Sequence, residues 1–205
     1  MRLVKKYSLQ NDITDNAFYI FSKLVKKLSF LEFFDLLEIE ISTDFVSEIK
    51  GRNAKIKLDY NNIFIRNKDE KMVRYFILKR LFSLLIQKKL GRDVPKTIRD
   101  ILTNREIIKY GFSDEVSYHF FMYLSNTERK ITNKNDFLFI NLPWIIFYPV
   151  DEHGHSFFKK NIKKFEFSDS MKEKTKKLFN SAKKDLWIDK NLNNTIKHFD
   201  EFAKK

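Results

Sequence analysis

The sequence contains no cysteine, which excludes disulfides, thiol catalysis and every cysteine-based metal site. Histidine is scarce as well: His119, His153, His155 and His198 are the only four in 205 residues, so soft metal ligands are few. Four glycines and three prolines are too few for a many-turned β-sandwich or barrel and suit long helices with few tight turns. The same poverty of glycine speaks against phosphate-binding loops. No nucleophile elbow and no spacing of a Ser-His-Asp triad is present. No run of 18 uninterrupted apolar residues occurs, and the opening MRLVKKYSLQND has no apolar signal core. A soluble, cytoplasmic protein with no membrane partner is the expectation.

Apolar residues make up 43% of the chain and aromatics 16%, with 22 phenylalanines, so a phenylalanine-rich core is expected and large-scale disorder is not. The net charge is +13, yet lysine outnumbers arginine 31 to 9. With asparagine, isoleucine and phenylalanine also abundant, that balance has the look of a genome-wide composition bias. It supports solubility and weak contact with polyanions. Specific nucleic-acid sites favour arginine clusters and exposed aromatics on one surface.

The longest helical pattern is Asp69 to Gly91. Met72, Val73, Phe76, Ile77, Leu81, Leu84 and Leu85 recur at helical spacing, and Leu78, Phe82 and Ile86 widen the stripe until most sides are apolar. Such a helix lies inside a domain. Asp69 and Glu70 in the first turn and Lys88 and Lys89 in the last suit the macrodipole, and Gly91 with Pro95 marks the end.

Ahead of it, Asn16 to Leu28 is predicted helical, and Ser29 with Glu32 fits a capping box. Leu37–Ser42 and Ala54–Tyr60 alternate as half-buried strands do. Ile63–Arg66 is expected to pair back across Asn61-Asn62 as a hairpin. Behind the central helix, short helices are expected over Thr97–Leu102 and Asn104–Tyr110, then one from Ser113 to about Leu124. The apolar runs around Pro143 are expected to be irregular or only briefly helical. Ser168 is placed as the cap of a lysine-rich helix reaching about Asp189, and Asn191 or Asn193 opens the last one.

The frame Ile77-Leu78-Lys79-Arg80-Leu81-Phe82-Ser83-Leu84-Leu85 resembles the active helix of zincin metallopeptidases, H-E-x-x-H within apolar flanks. The order of helix, strands with an edge hairpin, central helix and a later helix bearing Glu115 is similar to the gluzincin class, over roughly residues 12 to 125. In that resemblance Lys79 and Ser83 stand at the histidine ligands, Arg80 at the general base and Glu115 at the third ligand. Lysine has no free lone pair for zinc, serine is a poor ligand, and arginine takes no proton near neutral pH. The resemblance therefore implies a scaffold without its metal, with Lys79 and Glu115 as a pair in its place. Read without the resemblance, Glu115 is an ordinary first-turn acid.

Two further groups stand out. Asp151-Glu152-His153-Gly154-His155 puts two carboxylates and two histidines within five residues, where H-x-H on an extended loop chelates a divalent ion; an exposed polar loop is the plainer reading. Ser156 to Lys205 holds fourteen lysines against seven acids. There Lys172, Lys176, Lys183 and Lys184 accompany an apolar face of Met171, Leu178, Phe179, Ala182 and Leu186. This is either a docked helix with a solvated face or a weak nucleic-acid surface, with Trp144, Tyr148 and Trp187 as stacking candidates.

The expectation is thus an α+β fold, mostly helical, with a small antiparallel or mixed sheet near the amino terminus packed on a buried central helix. A core over 1–125 with a helical extension over 126–205 packed on it, together one structural unit, is anticipated. The expected function is a non-catalytic binding or scaffolding protein with an unidentified protein partner and no cofactor. The alternatives are a basic nucleic-acid-binding protein and a metal-dependent hydrolase built on Asp151–His155.

Overall fold

The computed structural model describes residues 1–6, 11–43, 47–90, 94–127, 130–131, 134–148 and 150–203. The fold is mostly helical α+β with a small mixed four-stranded sheet near the amino terminus, as the sequence leads one to expect. The chain divides into two compact units, Met1–Lys88 and Lys89–Lys205, ahead of the 125/126 division anticipated from sequence.

The first unit opens with β1 (Arg2–Lys6), α1 (Asn11–Val25) and a 3-10 turn, Ser29–Phe33. That turn forms without the expected capping box: Leu28 occupies the cap position and no side chain bonds it. β2 (Leu36–Ser42), β3 (Glu48–Lys50), β4 (Asn53–Asp59), α2 (Ile63–Arg66) and α3 (Glu70–Leu90) follow. The sheet order is β1-β2-β4-β3, with β1, β2 and β4 parallel and β3 antiparallel on the edge. The register pairs Leu37 with Ala54, Ile39 with Ile56 and Ile41 with Leu58. All six are at most 4% exposed, so period-two alternation has placed one whole face in the core. α1 covers β1 and β2 from that side with Ile13, Ala17, Ile20, Phe21 and Leu24, all buried.

The opposite face carries charge. Lys55 Nζ lies 2.5 Å from Glu40 and 3.0 Å from Glu38, and Glu40 is only 8% exposed. The Glu40 carboxylate above all, against the opposing effect of burial, pushes the Lys55 ammonium above its ordinary range.

The expected hairpin at Ile63–Arg66 does not form. Asn62 accepts a hydrogen bond from the N–H of Phe64 and starts a helical turn instead. The real hairpin is one step earlier, β3 to β4 across Gly51-Arg52, where Gly51 takes φ 61°. A glycine at the first position of a two-residue loop matches the twist of the strands. α3 has its expected span, although Gly91 lies outside the described residues. Met72, Val73, Tyr75, Ile77, Leu78, Leu81, Phe82 and Ile86 are buried along it.

The second unit contains α4 (Lys96–Lys109), α5 (Ser113–Ser125), α6 (Lys134–Phe147), α7 (Glu152–Ile162), α8 (Asp169–Ala182) and α9 (Asp189–Ala203). A two-residue parallel pair, β5 (Lys130–Ile131) with β6 (Glu166–Phe167), completes it. α4 is one helix rather than the two expected: Asn104 Nδ2 donates to Asp100 O one turn back, so its amide does not break the ladder. α6 corrects the irregular reading around Pro143, which sits inside the helix. Phe137, Leu138, Ile140, Leu142, Ile145, Ile146 and Phe147 are all buried, and packing on so many sides offsets the proline's missing N–H. α8 ends at Ala182, before the expected Asp189, and α9 starts at Asp189 itself.

Candidate functional site

On α3, residues advance by roughly 100° each, so Arg80, Ser83, Leu84 and Gln87 fall on one side. These positions are half-buried or exposed, while Leu81, Phe82 and Ile86 behind them are buried. Lys79 is half-buried, its Nζ 5.8 Å from the ring centre of buried Tyr75. Glu115 belongs to the second unit, 7% exposed in the first turn of α5.

The carboxyl-terminal half of that same side forms one wall of an open cleft of about 510 Å³. Leu84, Gln87 and Lys88 line it from α3; Ser47, Glu48, Ile49 and Gly51 line it from the edge strand β3 and its turn. The hairpin is fastened at its turn. Arg52 Nε donates to Phe33 O at 3.0 Å, and its guanidinium pairs with Asp35 at 3.1 Å. The Phe33 ring, 51% exposed, meets two cations: the Arg52 guanidinium at 5.5 Å and Lys88 Nζ at 4.2 Å. A strand whose outer edge has no neighbour among the described residues thus faces a helix wall lined by Leu84, Gln87 and Lys88. Sequence reasoning missed this cleft because it placed the hairpin at Ile63; the signal for the true one was Gly51 between two short alternating runs.

The Asp151–His155 segment is a helix start and not an exposed loop. Asp151 caps α7, its Oδ1 accepting the N–H of Gly154 at 3.0 Å, while Ser113 Oγ donates to its Oδ2. Burial raises the Asp151 carboxyl, but the Ser113 hydroxyl and the N–H groups of Gly154 and His153 outweigh it, and the net value lies below the usual range. His155 Nδ1 lies 2.7 Å from Trp144 O, and its ring packs on Trp144 and Tyr148. His153 and His155 are both helical, so extended H-x-H chelation is not formed. Among the described residues no group of three or more histidine and carboxylate side chains is placed to hold a metal ion, Glu152 included.

The four lysines assigned to a basic surface are distributed along the end of the chain. Lys172 and Lys176 are exposed on α8, Lys172 pairing with Asp169 at 3.0 Å. Lys183 and Lys184 come just after its last residue. Lys183 Nζ sits 4.4 Å above the Trp144 ring, and burial first, then the Lys159 charge, pulls its pKa below the ordinary value. The apolar face expected opposite is buried at Leu178, Phe179, Ala182 and Leu186. Trp187 is anchored by Nε1 to Glu106 at 3.2 Å rather than offered for stacking.

No protein-family model, no curated protein and no solved structure matches this chain. No helix among the described residues is long and apolar enough to cross a membrane.

Proposed function

We propose that the protein is a non-catalytic binding protein that takes an extended peptide of a protein partner into the cleft between β3 and α3. The observation that carries this reading is the cleft itself, about 510 Å³ between an edge strand and the half-exposed side of a buried helix. An edge strand offers unpaired main-chain N–H and C=O groups, and an added strand satisfies them while side-chain pockets set the specificity. Leu84 supplies the apolar floor, and Glu48, Gln87 and Lys88 the polar rim.

The gluzincin resemblance fits the same reading: Lys79, Arg80 and Ser83 continue along α3 from the cleft wall, and none can hold zinc or act as a base at neutral pH. The hydrolase alternative has less in its favour, since Asp151 is committed to a helix cap and His155 Nδ1 to a main-chain carbonyl.

The test is selection of binders from a random displayed peptide library, repeated with Leu84→Glu. A carboxylate on the floor costs roughly 2 kcal/mol or more of affinity, about 30-fold. Selected peptides that bind both proteins equally would overturn the proposal.

A further inference from the structure

A different surface, in the second unit, brings aromatic rings and lysines together. Tyr148 is 42% exposed, its ring 5.1 Å from that of His155, which in turn packs on Trp144 at 5.8 Å. Lys183 covers Trp144 from another helix end, and Lys159 lies one helical turn beyond His155 on α7. Lys159 and Lys183 act on one another as like charges, and among the described residues neither pairs with an acid. Around them the sequence from Ser156 to Lys184 contains ten lysines and three acids.

Two lysines without an acidic partner among the described residues thus flank the tilted rings of Trp144, His155 and Tyr148. The part of the Tyr148 ring that His155 does not cover is open to a flat ligand. We infer that Tyr148, His155, Lys159 and Lys183 form a binding site for single-stranded nucleic acid, an unstacked base lying on Tyr148 and the adjoining phosphates between the two lysines. A duplex fits less well because its bases are already stacked and cannot reach the tyrosine face. An inorganic or protein-borne phosphate would use the lysines and leave Tyr148 idle.

The experiment is fluorescence anisotropy of a labelled oligothymidylate and an oligouridylate of about 12 nucleotides, at salt from about 50 to 200 mM. Inorganic polyphosphate and a hairpin duplex serve as competitors. The wild-type protein is expected to bind both single strands in preference to the duplex. Tyr148→Ala should weaken single-strand binding by roughly 5- to 150-fold, the worth of one stacked base, and leave polyphosphate binding unchanged. Tyr148→Phe should keep the affinity, which separates stacking from any damage to the fold. Lys159→Gln with Lys183→Gln should lower the slope of log affinity against log salt by about 1.4, two phosphate contacts at about 0.7 each. No binding by the wild type at the lowest salt, duplex preferred over single strand, or equal losses of polyphosphate and oligonucleotide on Tyr148→Ala would each overturn the inference. This site and the peptide cleft have separate residues and readouts, so either can fail alone.

Discussion

A hydrogen at Gly154 is all that the second unit has room for. A Cβ there would stand 2.1 Å from Cδ1 and 2.9 Å from Cγ of Phe147, a ring with no exposed surface. Gly154→Ala should therefore destabilise by about 1–3 kcal/mol through overpacking, although alanine favours helices. An unchanged melting temperature would show that Phe147 can move aside. The neighbouring Asp151 links the same corner to pH. Its folded value is depressed, so the stability it contributes is present above the unfolded value near ~3.9 and disappears as pH falls through the lower folded value. Ser113→Ala should raise the carboxyl titration seen by carbon NMR and cost about 1 kcal/mol at neutral pH. A titration that stays put would assign the depression to the helix N-terminus alone.

Arg105 sets a sharper demand. It is 5% exposed and donates to Ile145 O at 2.9 Å, Ala182 O at 2.6 Å and Lys184 O at 3.1 Å, tying α4 to α6 and the end of α8. Burial pulls its pKa down to about 10, which leaves it a cation at neutral pH. Neither Ala nor Lys can span three carbonyls, so Arg105→Ala should cost about 3 kcal/mol or more. Both tryptophans, Trp144 and Trp187, lie in the second unit, so the midpoint of urea unfolding followed by tryptophan fluorescence reads the loss there.

At the scale of elements, period decides what was legible. α3 and the strands β2 and β4 could be read because their apolar residues repeat every 3.6 or every two positions and tertiary packing agrees with that pattern. Ile63–Arg66 was misread because four residues cannot show a period; the capping oxygen of Asn62 decided it, and Asn-Asn signals a turn and a cap equally well. α6 was hidden by Pro143, whose local penalty is overcome by burial on nearly every side. The cleft could not be read at all, since it depends on how a three-residue strand and a helix wall meet. Leu84→Glu, on a half-exposed position, should weaken peptide capture by about 30-fold or more while shifting stability by less than about 0.5 kcal/mol. A large loss of stability would mean that Leu84 is a packing residue instead of a floor.

For the whole molecule, the charge of +13 is shared almost evenly: 17 basic against 11 acidic residues in Met1–Lys88, and 23 against 16 in Lys89–Lys205. Net charge thus marks no one surface as functional, and the two proposed sites rest on local arrangement. The proposed function places peptide binding in the first unit, between β3 and the half-exposed side of α3. The most direct measurement is a nitrogen-15 correlation spectrum of the protein titrated with a library-selected peptide. Shifts concentrated at Glu48–Gly51 and Leu84–Lys88 are expected, with the peptide intact afterwards. Shifts confined to the second unit, or cleavage of the peptide on adding zinc, would contradict the proposed function.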